Sequence, residues 1–514
     1  MSSDCRIPII VGITGHRQIE ENDAEAISSS VSRELSKIST KYPNSEIKIL
    51  CSMAEGGDTI CAKAANKLGI KLIAGIPFEI DEFRKDFKGE ALEEFNKLIS
   101  ISEKVIVTPD IEGKSPEDRD YYYRQNSIYV ASHCHILLAL WDGLEDEDNG
   151  CGTSSAVSFA LEGDYLPRDG IAVKSSENTE VIHVFTPRGT QGNGTAGEVK
   201  YLGDVGAVEK ILSETDRYNS EASEIHYTKD NMPLSGVYYA ADLLSAKYKI
   251  KHEKVLWAAA IAGTLITLSF LFYDELETWW MLLVCGILLV AIQRILRKSR
   301  ENKTLSKHIE YRALAEIERV RDYLRYAGSR MEIAPLMTRT QLTEHAWIAQ
   351  GETALDLLSS VEEGHDISSC WIEDQINYHR KACQDKKKGV TVSANATKWV
   401  KRMAVLVYFT ALGYELMAYL GLFSSSRLAG TIFKILVGIL SAASLLLSAS
   451  FGKQAVERQS EDHKKMQKFY ERMLKLLKKN GQNEELLKVI VREELNEVGN
   501  WCSYKQEESP SLEM

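Results

Sequence analysis

The run at 255–273, V-L-W-A-A-A-I-A-G-T-L-I-T-L-S-F-L-F-Y, carries no charge over 19 residues. As a helix rising about 1.5 Å per residue, it is long enough to cross the ~30 Å hydrocarbon core of a bilayer. Such a segment belongs either in lipid or at the centre of a large helical core. Three more apolar runs favour lipid. Residues 279–292 open on a Trp pair, where interfacial aromatics belong. Residues 403–423 and 428–451 make a second pair around the tight loop S-S-S-R. The expectation is an all-α membrane region with four transmembrane helices in two hairpins.

Basic residues orient the hairpins. Lys247, Lys249, Lys251 and Lys254 precede the first run, and Arg294, Arg297, Lys298 and Arg300 follow the second. Lys386, Lys387, Lys388, Lys398, Lys401 and Arg402 precede the third, and Lys453, Arg458, Lys464 and Lys465 follow the fourth. The turns within the hairpins hold only Arg427. Positive charge stays on the cytoplasmic side, so every soluble segment is expected there, on a multi-pass protein of the inner membrane. Each half runs basic helix, span, turn, span, charged helix, which reads as a duplication. The charged helices at 301–326 and 454–479 have apolar residues at three- and four-residue spacing, suited to helix packing below the membrane. Glu415 and Lys434 fall inside apolar runs. They are candidates for a membrane lining or an ion pair, or they snorkel to the interface.

The first 210 residues follow a different pattern. Short apolar runs at 8–14, 46–51, 71–77, 104–108, 136–141 and 181–186 alternate with helix-type segments. Runs without polar alternation suit strands buried on both faces, so the expectation is an α/β, Rossmann-like parallel sheet. Residues 190–206 are glycine-rich and polar and read as a loop. The domain division read from this is 1–210, 211–330 and 331–514.

Strand ends collect the residues that suit ligand binding, since open α/β sheets bind at their carboxyl edge. Gly15, His16 and Arg17 follow the first strand. Arg17 can pair with a phosphate or with Glu20 or Glu21 on the surface. His16 can touch a ligand or serve as a structural hydrogen-bonder. After the second strand stand Ser52, Glu55, Gly56 and Asp58. An acid there can accept from ribose hydroxyls, and Asp58 can also cap the next helix. Arg124 lies in the aromatic helix at 121–133 and either reaches a phosphate or base or faces solvent. I-L-L-A-L-W-D-G at 136–143 ends in Trp141, Asp142 and Gly143; the Trp stacks on a base or caps the sheet. Gly150, Gly152 and Thr153 then open a helix, an arrangement that offers backbone N–H groups to an anion.

The chain has 514 residues and a net charge of −11, which excludes a general nucleic-acid coat. Its nine cysteines form no C-x-x-C pair and no zinc spacing, so buried thiols are expected and no metal site.

Residues 8–190 resemble the SLOG superfamily, the LOG/DprA-like Rossmannoid domains. The matching segments are V-G-I-T-G-H-R at 11–17, S-M-A-E-G-G-D at 52–58, L-A-L-W-D-G at 138–143 and G-C-G-T at 150–153. Residues from about 235 resemble two copies of the SLATT two-transmembrane effector domain, on architecture and on E-E-L-N-E-V-G-N-W at 493–501. The resemblance implies a sensor of a nucleotide-derived second messenger, a cyclic nucleotide or ADP-ribose derivative, joined to a pore-forming effector in bacterial antiviral defence. LOG enzymes carry G-G-x-G-T-x-x-E, whose Glu serves glycosidic cleavage; Ala156 stands at that position here. This favours binding over hydrolysis, with no catalytic residue and no cofactor beyond the ligand. The alternative is a membrane-anchored nucleotide glycosidase or hydrolase using Glu55 or Asp58. The expected partners are the nucleotide signal, membrane lipid and further copies of the chain.

Overall fold

The computed structural model describes residues 5–108, 117–145, 151–162, 179–188, 194–229, 232–276, 278–361, 363–422, 426–450 and 453–507. The apolar runs of the first half form β1 (Ile9–Gly15), β2 (Ile47–Cys51), β3 (Lys71–Ile76), β4 (Lys104–Val107), β5 (Ile136–Trp141) and β6 (Glu180–Phe185). All pair in parallel. β2 and β6 are buried along their whole length, which is why their sequences lack alternation. A further strand, β7 (Val199–Gly203), runs antiparallel to β6 and closes one edge. This corrects the reading of 190–206 as loop throughout. β7 is mostly exposed and glycine-flanked, so its own sequence carries no strand pattern, and pairing with β6 creates it.

The sheet order is β4-β3-β2-β1-β5-β6-β7. Connections run one way from β1 to β4 and the other way from β5 to β6, so the winding reverses between β1 and β5. The helices in between are α1 (Glu21–Lys41), α2 (Gly57–Lys67), α3 (Ile80–Phe83), α4 (Glu90–Ile101), α5 (Arg119–Ser132), α6 (Thr153–Glu162) and α7 (Val205–Ser223). Side-chain alternation along the strands feeds two cores. Ile9, Val11 and Ile13 of β1 meet Val31 and Leu35 of α1 and Ala62 and Ala65 of α2 on one face. Ile10 and Leu137 meet Val130 of α5 and Val157 of α6 on the other.

From Gly236 the chain is helical: α8 (Gly236–Leu276), α9 (Trp280–Glu301), α10 (Thr304–Tyr326), α11 (Arg339–Glu344), α12 (Ala346–Leu358), α13 (Asp374–Tyr419), α14 (Arg427–Ser450), α15 (Lys453–Asn480) and α16 (Glu484–Glu507). Contacts divide the chain into two compact units. One comprises Met1–Leu244, Glu310–His365 and Lys488–Met514; the other comprises Ser245–Ile309 and Asp366–Leu487.

In the first unit α12 completes the second core, contributing Ala354 and Leu357. Its Gly351 is so close to Ile7 that a Cβ there would lie 3.2 Å from the Ile7 side chain. Arg319 of α10 pairs with Glu494 of α16 at 2.9 Å.

In the second unit α13 packs along α14 and α15. Two helices are long and apolar enough to cross a membrane, Gly236–Glu275 and Trp280–Tyr326. Their most apolar windows are only 6% and 11% buried, unlike the core helix of a soluble protein. The second of these helices runs on into α10, which is charged, with Arg312, Glu316 and Arg319. A shorter apolar helix covers Leu428–Leu440. Among the described residues, then, two helices meet the length and composition of a span where the sequence reading expects four. The apolar end of α13 begins only at Met403, after Lys401 and Arg402, and includes Glu415 before the helix stops at Tyr419, and the side chains of 441–450 in α14 lie outside the described residues.

Candidate functional site

β1 and β5 stay paired to their carboxyl ends, Gly15 opposite Leu140 with the His16 N–H donating to the Leu140 carbonyl at 3.1 Å, and the winding reverses here with the chain passing closely by. Glycine makes that passage. A Cβ on Gly15 would lie 2.9 Å from the Gly57 Cα, so β1 and the start of α2 touch backbone to backbone. Gly56 takes φ +88°, and a side chain there would run into the carbonyls of His16 and Arg17. The Gly57 N–H donates to the His16 carbonyl at 2.9 Å, so the first donor of α2 is spent on β1.

His16 is buried and stands over the end of β5. Its Nε2 accepts from the Asp142 backbone N–H at 3.1 Å, and Asp142 Oδ1 lies 3.3 Å from the same nitrogen. Asp142 is also buried; its Oδ2 accepts from Arg188 Nε at 2.8 Å and its Oδ1 from the Leu144 N–H at 3.1 Å. Burial works to raise the Asp142 pKa, but the Arg188 and Leu144 hydrogen bonds outweigh it and hold the carboxyl below its ordinary range. Trp141 turns its indole N–H back to the Leu144 carbonyl at 2.8 Å and sets its ring 5.2 Å from that of His183. His183 Nε2 bonds the Trp141 carbonyl at 2.8 Å. Burial lowers the His183 pKa, so the ring is neutral and that nitrogen donates.

The loop after β2 is held from within. Met53 sits at φ +58°, and the Ala54 N–H donates to Asp58 Oδ2 at 3.3 Å. Asp58 is therefore folded back on its own loop, and the helix cap is Gly56. Burial raises the Asp58 pKa to about 7, against the Ala54 hydrogen bond and the Arg17 charge, which lower it. Ser52 accepts from the Asn126 amide at 2.8 Å, and Asn126 in turn accepts from the Thr108 hydroxyl at 2.6 Å. Arg17 is exposed and lies over the Tyr123 ring, 5.1 Å from its centre. Tyr123 donates to Asp86, which also receives Arg119.

The structure thus gathers Gly15, His16, Arg17, Ser52, Glu55, Gly56, Asp58, Trp141, Asp142 and Gly143 along one edge of the sheet. Glu55 is exposed at its loop tip and Gly143 takes φ +81°. Gly152 and Thr153 start α6 on the same edge, with Thr153 buried. Gly150 lies outside the described residues. Arg124 stacks its guanidinium on Phe159 at 5.3 Å, bridging α5 and α6. Ala156 is buried in α6. Glu415 and Lys434 belong to the second unit. Lys434 pairs with Glu275, near the end of α8, at 2.9 Å, while Glu415 sits against Gly430, its Oε1 3.4 Å from where a Cβ would be. Sequence reasoning missed Arg188 and Asn126 as site residues. Arg188 was detectable as a charge that ends a core strand, and Asn126 as an amide on the aromatic helix. Their partners in β5 and after β2 are far away in sequence.

No protein-family model matches this chain, and no curated protein matches it.

Proposed function

We propose that the chain is a membrane-anchored sensor and effector that binds a nucleotide-derived signal at the sheet edge where the winding reverses between β1 and β5. The observation that carries this is the convergence of His16, Asp142 and Arg188 at the point where strand order reverses, the location at which doubly wound sheets bind nucleotides. Two arginines, Arg17 and Arg188, stand at this edge with exposed guanidinium groups suited to phosphate. The start of α6 at Thr153 adds backbone donors and a helix dipole. The resemblance to the SLOG superfamily points the same way, and Ala156 in place of a glycosidic Glu supports binding without turnover.

The effector is the second unit. Its exposed apolar side chains run along both hairpins, including Trp257, Ile261, Phe270 and Ile287 in α8 and α9, and Leu406, Phe409, Leu412 and Leu416 in α13. An apolar surface this continuous is stable only in lipid. On this reading all four runs lie in the membrane, as two hairpins with their basic ends on the cytoplasmic side. Two hairpins enclose no wide pore, so conduction needs a ring of chains. Ligand drives assembly by binding the associated state more tightly.

A second reading, a nucleotide hydrolase, is favoured by one observation: Asp58 is a buried acid with a pKa near 7, suited to proton transfer. The deciding experiment is calorimetry of the full chain in detergent against linear and cyclic nucleotides and ADP-ribose derivatives, with chromatography of the ligand afterwards. Binding that Arg188→Ala weakens at least tenfold, with the ligand recovered intact, supports the sensor. Base release abolished by Asp58→Asn supports the enzyme. A folded chain that binds none of the compounds overturns both.

A further inference from the structure

α10 and α12 present an arrangement that the nucleotide site does not use. Glu318 and Asp322 lie one helical turn apart on α10, and Glu352 and Asp356 lie one turn apart on α12. Glu318 and Glu352 are 0% exposed. Two arginines face these four acids. Arg321 Nη2 bonds Glu318 Oε2 at 2.5 Å, and Arg325 Nη2 bonds Asp356 Oδ1 at 2.6 Å. Lys104 spends its ammonium on the Leu357 and Ser359 carbonyls at the end of α12; together with Arg330 and Glu332 it acts on the Asp356 side. On the other side, the Tyr218 hydroxyl of α7 feels the Glu318 charge.

These partners leave a specific gap. Neither oxygen of Glu352 has a hydrogen-bond partner among the described residues, and neither does Glu318 Oε1. Arg321 does not fill the gap, since its Nε and Nη1 are also without one. The carboxyl groups of Glu318 and Glu352 meet each other. Two ionised carboxylates repel strongly in such a dry contact, and among the described residues no donor bonds Glu318 Oε1 or either Glu352 oxygen. One proton supplies the donor and turns repulsion into a charge-assisted O–H···O⁻ bond. Burial, with the Glu318 charge next to it, pushes the Glu352 pKa well above the carboxylate range.

The pair also holds a helix start. Ser235, just before α8, gives its hydroxyl to Glu318 Oε2 at 3.0 Å and its N–H to Asp322 Oδ2 at 2.6 Å. Its hydroxyl accepts in turn from the Tyr238 N–H at 3.2 Å, so Ser235 caps α8. We propose that Glu318 and Glu352 hold one proton between them at neutral pH, and that this proton pins α10 to α12 and seats the start of α8. Its loss at alkaline pH sets the two carboxylates against each other and loosens that seat. This does not depend on what binds at the sheet edge.

Infrared spectroscopy of the full chain in detergent at pH 8 tests the site directly. We expect the carbonyl band of a protonated carboxylic acid, shifting in D₂O and lost in Glu352→Gln. Absence of the band in the unmodified chain overturns the proposal, as does a band that survives in both Glu352→Gln and Glu318→Gln. Glu352→Gln carries its donor permanently. In that variant, amide exchange at Tyr238 and Tyr239 should rise between pH 7 and pH 10 only as base catalysis requires, whereas the unmodified chain should exceed that rise several-fold. Equal rises in the two proteins overturn the coupling to α8.

Discussion

His16 Nε2 accepts a hydrogen bond from the backbone of Asp142 at 3.1 Å while lying 3.3 Å from the carboxylate of the same residue. The first contact suits a neutral ring with its proton on Nδ1; the second suits an imidazolium. One histidine thus has two ways to hold the end of β5, and Arg188 holds the carboxylate from the other side. An anion bound at Arg188 would compete with Asp142, which would link binding to the ordering of this strand end.

Asp142→Asn removes the charge that orders both neighbours. It should destabilise the ligand-free chain by about 1–3 kcal/mol, measured by thermal melting at pH 7. Asp142 has a depressed folded pKa, so its contribution is present at neutral pH and is lost as pH falls through that value. The gap between variant and parent should therefore close below about pH 4. A gap that stays constant with pH would mean the carboxylate charge is not what matters.

Gly57→Ala inserts a methyl group where the Gly15 backbone already lies 2.8 Å away. Backbone cannot rotate aside as a side chain can. The variant should lose about 1–3 kcal/mol of stability from overpacking and bind ligand at least tenfold more weakly, because β1 and α2 must separate. Calorimetry and melting on the same preparation check both effects.

Asp58 holds a proton in the folded state up to about pH 7, well above its ordinary 3.8. A carboxyl with a raised folded pKa lowers stability progressively as pH climbs from about 4 to about 7. Asn at this position keeps an oxygen for the Ala54 N–H and never ionises. Asp58→Asn should therefore be more stable than the parent at pH 8 by on the order of 2–4 kcal/mol, with little difference at pH 5. Melting curves across that range decide it; parallel pH profiles would show that Asp58 is solvated.

The two hairpin turns should face the same side of the membrane. With Cys151 and Cys370 replaced by serine, Thr278→Cys and Ser426→Cys should react with an impermeant maleimide added outside cells. A cysteine at Lys398 should react only after lysis. Labelling of Lys398→Cys from outside would overturn the orientation, and failure of Ser426→Cys alone would leave only the first hairpin in the membrane.

The sequence by itself determined what depends on neighbours along the chain. Buried strands announce themselves as short unbroken apolar runs, so six strands of the sheet were legible, as was the helical second half. Gly15, Gly56 and Asp142 stood out because strand ends and turns have local chemistry. The tertiary structure decided what depends on partners far away. β7 is a strand only because β6 offers it an edge. Asp58, beside a helix start, turns back to Ala54 because its carboxyl supplies the acceptor that this N–H needs. Arg188 joins the site because the sheet carries it to Asp142, and Glu318 meets Glu352 because α12 packs on the sheet and brings its other face to α10. Hydropathy registers a charged residue in a helix as exposed; only the packed fold, which removes water from that residue, turns it into a site.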